Sequence, residues 1–257
     1  MNLLELPERT AKPRVAGMTM VIDNGMPLGA FTDAIASVAP LIDAVKFGWG
    51  TCLVTPDLGA KLDCLRANDV RFWFGGTLFE KFVLQDRFDL YLDFCHLHGA
   101  EIVEVSNGTI SMSNTAKAAY IRKCADHFQV VSEVGFKDAD RSQRLAPSQW
   151  VDCIHEDLAA GSTLVITEAR ESGRSGICRP DGELRLGLIE DILASDVDPD
   201  LLLFEAPNKA LQTHFIIRVG PNVNLGNIPP TDVIGLETLR LGLRSDTLLA
   251  LDGHADA

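Results

Sequence analysis

The sequence predicts an α/β chain folded as a single-domain (β/α)8 TIM barrel, and three observations predict it. Eight short apolar runs rich in β-branched residues recur along the chain, segments of helical period separate them, and no low-complexity linker divides them. Strands alternating with helices imply right-handed parallel crossovers, and eight such units close a cylinder rather than an open sheet. A length of 257 residues suits one such barrel, residues 1–257.

The expected strands, in order, are RVAGMTMVID (14–23), DAVKFGW (43–49), RFWFGG (71–76), EIVEVS (101–106), FQVVSEVG (128–135), TLVITEAR (163–170), LLLFEAP (201–207) and NVNLGNI (222–228). Between the second and third, LGAKLDCLRAND (58–69) has amphipathic helical spacing. After the fourth, SNTAKAAYIRKCADH (113–127) starts near a Ser/Asn cap. After the fifth, PSQWVDCIHEDLAAG (147–161) ends at Gly161, and TDVIGLETLRLGLR (231–244) follows the eighth with basic residues in its final turns. The first strand-to-helix turn, IDNGMPLG, lacks the GxGxxG spacing of a dinucleotide site, which opposes an open nucleotide-binding sheet.

Composition narrows the function. Hydrophobic residues make up 46% of the chain, enough for a large core without disulfides or structural metals. The six cysteines lie far apart with no CxxC pair, as expected of buried thiols in a reducing compartment. No apolar run approaches the roughly 18 residues of a membrane span, and MNLLELPERT lacks the basic flank and apolar stretch of a signal peptide, so a cytoplasmic protein is expected. A formal net charge of −13 repels nucleic acid and anionic membranes alike. The expected partners are small anionic substrates and further copies of the chain in a homo-oligomer, with no nucleic acid and no membrane.

Barrel active sites form at the C-terminal ends of the strands, so polar residues late in apolar runs carry functional information. Lys46 lies in the second run, Glu104 and Ser106 share a face of the fourth, Glu133 and Lys137 close the fifth, Glu168 and Arg170 the sixth, and Glu205 the seventh. Asp23 ends the first. Four glutamates at similar depth aimed at one axis are costly unless a metal ion and cationic neighbours compensate them; the alternative is a set of ion pairs facing solvent at the rim. Cys95, His96 and His98 read instead as a helix end before Gly99, where histidines favour the negative end of the dipole. The glycine-rich, basic segment 169–183 suits a loop closing over an anion, with Arg170 or Arg174 as donors. In GPNVNLGNI, Gly220, Asn222, Asn224 and Gly226 suit close backbone approach to a phosphate. HExxH, GxSxG and P-loop patterns are absent, which removes common hydrolase and nucleotide-binding readings.

The segments VKFGWGT (45–51), GGTLFE (75–80), VEVSNGT (103–109), SEVGFKD (132–138), ITEARESG (166–173), LFEAPNK (203–209), VNLGNI (223–228) and IGLETLRLGLRSDT (234–247) resemble the phosphosulfolactate synthase family across almost the whole chain. The resemblance implies a (β/α)8 lyase that uses Mg²⁺ to add sulfite to phosphoenolpyruvate, giving (2R)-2-phospho-3-sulfolactate; in methanogens that product enters a route to coenzyme M. Under this reading Glu104, Glu168 and Glu205 are metal ligands or their supporting partners, and Lys137 is the general acid. Glu133 holds the metal or orients that acid. Lys46, Arg170, Ser106 and the loop carrying Gly220, Asn222 and Asn224 bind the anionic substrates. A dry pocket is expected to lower the Lys137 pKa toward neutrality. Two other readings remain at this point: a metal-dependent or Schiff-base lyase or aldolase acting on another enol phosphate or phospho-keto acid, and a non-catalytic stress-tolerance protein like plant relatives of the family.

Overall fold

The structure, a computed structural model, describes residues 3–252. Its eight parallel strands are β1 Thr19–Asp23, β2 Ala44–Phe47, β3 Arg71–Phe74, β4 Ile102–Val105, β5 Gln129–Val134, β6 Ser162–Thr167, β7 Leu202–Glu205 and β8 Leu225–Ile228. They form one sheet in the order β3-β2-β1-β8-β7-β6-β5-β4, each neighbouring pair joined by a parallel ladder. At the remaining seam β3 and β4 stand side by side, and the Trp73 indole N–H bridges them by donating to Glu104 Oε2 at 2.7 Å. The result is the expected (β/α)8 barrel, nearly closed.

Helices α1 Leu28–Val38, α2 Leu58–Ala67, α3 Gly76–Leu84, α4 Phe88–Leu97, α5 Asn114–Ala125, α6 Ala139–Arg144, α7 Pro147–Ala159, α8 Leu186–Leu193, α9 Lys209–Val219 and α10 Val233–Arg240 alternate with the strands. The Ser113 hydroxyl caps α5 by accepting from Ala116 N–H, as the Ser/Asn signal predicts. The last helix stops four residues short of the expected 244. Gly242 adopts φ +66°, Gly242 N–H reaches Leu239 O and Leu243 N–H reaches Thr238 O, a Schellman ending that the glycine permits. At the end of α4, Cys95 is buried in the core and the His98 ring packs edge-on to Phe94, so this trio is structural, as expected.

Strand alternation divides the interior in two. Val21, Val45, Phe47, Val103, Val165 and Phe204 face outward into the core shared with the helices. Met20, Ala44, Trp73, Ile102, Val131, Ile166 and Leu203 face inward and fill the lower barrel with side chains, leaving no pore. Below them the fully buried Arg240 guanidinium donates to the carbonyls of Pro221, Val223 and Met18. Burial pushes its pKa down to about 9.

This arrangement overturns the expected anion site at Gly220, Asn222 and Asn224. The three lie in the connection entering β8, and therefore at the N-terminal end of the barrel, away from the mouth. Their polar side chains already hold that end together. Asn224 Oδ1 accepts from Met18 N–H, its Nδ2 donates to Leu202 O, and Asn222 binds Arg9, Thr10 and Glu8. Among the described residues no helix is long and apolar enough to cross a membrane.

Candidate active site

The inward-facing positions one layer above the apolar plug are Lys46 on β2, Glu104 on β4, Glu133 on β5 and Glu205 on β7, with Glu168 just past the end of β6. Each is at most 5% exposed. With Lys137 from the turn after β5 they line one cavity of about 340 Å³ at the C-terminal mouth. The rim-facing alternative is thereby excluded.

Two ammonium groups knit the four carboxylates. Lys46 Nζ lies 3.1 Å from Glu205 Oε1 and 3.4 Å from Glu104 Oε2. Lys137 Nζ lies 2.6 Å from Glu133 Oε1 and 2.7 Å from Glu168 Oε2. Burial opposes the charge on both lysines, yet the flanking carboxylates prevail and hold both above the ordinary lysine range. The expected lowering of Lys137 is therefore reversed, because its dry pocket is also an acidic one. Burial likewise works against Glu133, but Lys137 and Lys46 bring its pKa down to about 2. Glu168 goes the other way: burial, then the neighbouring Glu133, push it well above the carboxylate range. Burial also raises Glu104.

One oxygen from each of Glu133, Glu168 and Glu205 lies within 4.8 Å of the others. This differs from the expected trio, with Glu133 in place of Glu104. Glu104 is turned toward the β3–β4 seam, where Trp73 Nε1 and Gly76 N–H donate to its two oxygens at 2.7 and 2.6 Å. Fully ionised, four carboxylates against two ammoniums leave two negative charges uncompensated. The donor set, hard oxygens with a charge deficit of two, fits Mg²⁺.

Hydrogen bonds from the surrounding chain set the geometry. Ala169 N–H donates to Glu205 Oε2 and Arg170 N–H to Glu168 Oε1, so the chain leaving β6 fixes two of the three carboxylates. Gly76 opens α3 where a Cβ would stand 2.4 Å from Ser106 Oγ and 2.8 Å from Glu104 Oε1. Ser106 itself faces away from the cavity wall and donates to Glu80, a buried glutamate that also accepts from Thr109 and Ile110 N–H. A substrate contact by Ser106 is thus replaced by a scaffolding one, since Ser106 lies beyond the last residue of β4 and packs under α3. Behind β5, the fully buried Lys117 pairs with Asp157 at 2.7 Å and donates to Glu133 O at 2.8 Å. Asp23 faces outward, bound to Lys61 and to the N–H groups of Gly25 and Met26.

Arg170 reaches the cavity rim in the left-handed conformation, φ +60°, and Glu171 joins it there. Arg174 is not part of the cavity wall. Trp49, Thr109 and Asn227 also line that wall, and none of them is singled out as a site residue by the sequence. Trp49 and Asn227 both have positive φ, which a single sequence does not disclose at residues other than glycine.

The sequence matches the family described as (2R)-phospho-3-sulfolactate synthase (ComA) over residues 7–246. It is 54% identical to the phosphosulfolactate synthase of Bacillus subtilis (strain 168) over 244 residues, covering 95% of this chain and 97% of that one. It is 41% identical to the phosphosulfolactate synthase of Methanothermobacter thermautotrophicus over 246 residues, covering 94% and 95%. Among solved structures, a 3-hexulose-6-phosphate synthase aligns with a TM-score of 0.54 at 16% identity over 86% of this chain and 98% of that one, a likeness of fold.

Proposed function

The chain belongs to the (2R)-phospho-3-sulfolactate synthase family of enzymes, and from that premise we propose that it catalyses Mg²⁺-dependent addition of sulfite to phosphoenolpyruvate, giving (2R)-2-phospho-3-sulfolactate. The observation that carries the reading is the meeting of four carboxylates and two ammoniums in one buried cavity at the barrel mouth. Sulfite sulfur would use its lone pair to bond the methylene carbon, and the double-bond electrons would move into the substrate carboxylate. The neighbouring carbon then takes a proton to complete the product.

Glu133, Glu168 and Glu205 would hold the ion, which when bound supplies positive charge beside the carboxylate that gains electrons. Lys137 is assigned the proton transfer. A general acid must carry its proton before the step, and Glu133 and Glu168 keep this ammonium charged. Its side chain is 21% exposed, so water can restore the proton after turnover. Lys46, on the opposite wall, and Arg170, at the rim, are assigned to the anionic groups of the substrates. A Schiff-base mechanism is disfavoured by the same geometry, since it needs a neutral amine and both lysines sit between carboxylates.

Incubating the protein with phosphoenolpyruvate, sulfite and Mg²⁺ should produce a new phosphate-ester signal by ³¹P NMR, abolished by a chelator or by omitting sulfite. Trapping of a carbonyl substrate by borohydride, with no new ester from sulfite, would reject the reading.

A further inference from the structure

The last strand carries a polar group into the cavity that the ion-pair network does not use. Along the β1–β8 ladder, Thr19 pairs with Leu225 but Val21 pairs with Ile228, so two steps on β1 match three on β8. Leu225 and Ile228 both face the outer core. Gly226 faces the interior, where a Cβ would stand 2.6 Å from Leu203 Cδ2 and 2.8 Å from Met20 Cε. In a regular strand the next residue would point outward among the helices. Instead Asn227 is the extra residue of a β-bulge with φ +54°, and it turns inward onto the cavity wall, one residue beyond the partner of Glu205. Bulges re-aim side chains in this way beside active sites.

Two costs accompany this placement. Asparagine tolerates the left-handed region better than other residues with a Cβ, but still less well than glycine. The residue is also 3% exposed, and its buried Oδ1 meets no donor among the described residues. Buried polar atoms without partners are rare in folded proteins, and this one belongs to a side chain on the wall of the cavity. Half a turn about the Cβ–Cγ bond exchanges Oδ1 with Nδ2 in nearly the same envelope, so the group can offer two N–H donors. The cavity already carries excess negative charge, so an anionic substrate needs donors from this wall.

Resting on the reaction proposed above, we propose that the Asn227 carboxamide contacts the substrate, its N–H groups donating to an anionic oxygen of phosphoenolpyruvate. The test compares wild type with N227D and N227G by isothermal titration of phosphoenolpyruvate in the presence of Mg²⁺, alongside thermal midpoints and turnover with sulfite. Aspartate keeps the shape, removes the donors and adds a negative charge, so the glycine variant decides whether the donors themselves matter. Glycine removes the side chain and relaxes the backbone, so its midpoint should equal or exceed that of wild type. Both should weaken phosphoenolpyruvate binding at least about tenfold, the loss expected for a hydrogen bond to a charged group. A purely structural residue would instead lower the N227G midpoint and leave affinity unchanged. Binding by either folded variant within about twofold of wild type overturns the assignment, as does absence of binding by wild type. Should wild type bind phosphoenolpyruvate but form no product with sulfite, the proposed reaction falls while Asn227 is still judged by the same affinity ratio.

Discussion

Lys137 has two carboxylate partners within 2.7 Å, and this decides which of its chemical roles is open. A lysine in an apolar pocket would shed its proton and act as base or nucleophile; between Glu133 and Glu168 it keeps the proton and can give it away. Lys46 has the same type of clamp from Glu104 and Glu205, yet lies deeper on β2. Its side chain is 6% exposed against 21% for Lys137, so only Lys137 has ready access to water for recharging. Lys137→Ala is therefore expected to lower kcat by at least about a hundredfold, the lower end for loss of a general acid. Single-turnover kinetics on the folded variant would check it, and a rate within about tenfold of wild type would mean that the proton comes from another group.

At the level of elements, the connection leaving β6 does the most to shape the mouth. Ser175 Oγ donates to Phe136 O beside Lys137, while Ile177 N–H donates to Glu168 O, so one loop ties the ends of β5 and β6 together. Gly176 makes this approach possible: its φ is +61°, and a Cβ there would stand 1.6 Å from Glu168 O. Gly176→Ala should destabilise the protein by at least about 1–2 kcal/mol from the left-handed backbone alone, with a further loss of kcat as Glu168 is displaced. A melting curve and an activity assay would check both, and an unchanged kcat would show that the loop does not set Glu168. The eight strands, and the glutamates late in four of them, were legible because apolar runs and period-two alternation are properties of contiguous sequence. Lys117, Glu80 and Asn227 were not. Lys117 and Glu80 sit on helices where a charged residue reads as a solvated face, and only packing against α7 and the β4–α5 connection buries them. Asn227 breaks the alternation that would have located it. The phosphate role assigned to Asn222 and Asn224 failed for a related reason, since polar residues before and after a strand look alike in composition while lying at opposite ends of the barrel.

For the whole molecule, a net charge of −13 works against an anionic substrate, and an ion bound among the mouth carboxylates would offset that locally. The titration of the metal-free cluster gives this a pH signature. Glu133, with its pKa down at about 2, contributes stability that is complete above its ordinary 4.5 and lost as pH falls toward 2. Glu168 has the opposite sign. Its folded pKa lies above 4.5, so from there upward the folded state holds a proton that the unfolded chain has released, and stability declines as pH rises through that window. Mg²⁺ bound between these carboxylates, as proposed above, would compete with that proton, and its stabilising effect should grow with pH. At free Mg²⁺ about a hundredfold above its dissociation constant, linkage gives about 2.7 kcal/mol, which for a chain of this size raises the thermal midpoint by roughly 5–10 °C. That rise should be larger at pH 8 than at pH 5, and reversed by a chelator in differential scanning calorimetry. A midpoint that ignores Mg²⁺ at pH 8 would show that the three carboxylates hold no ion and that their excess charge is neutralised by protons instead.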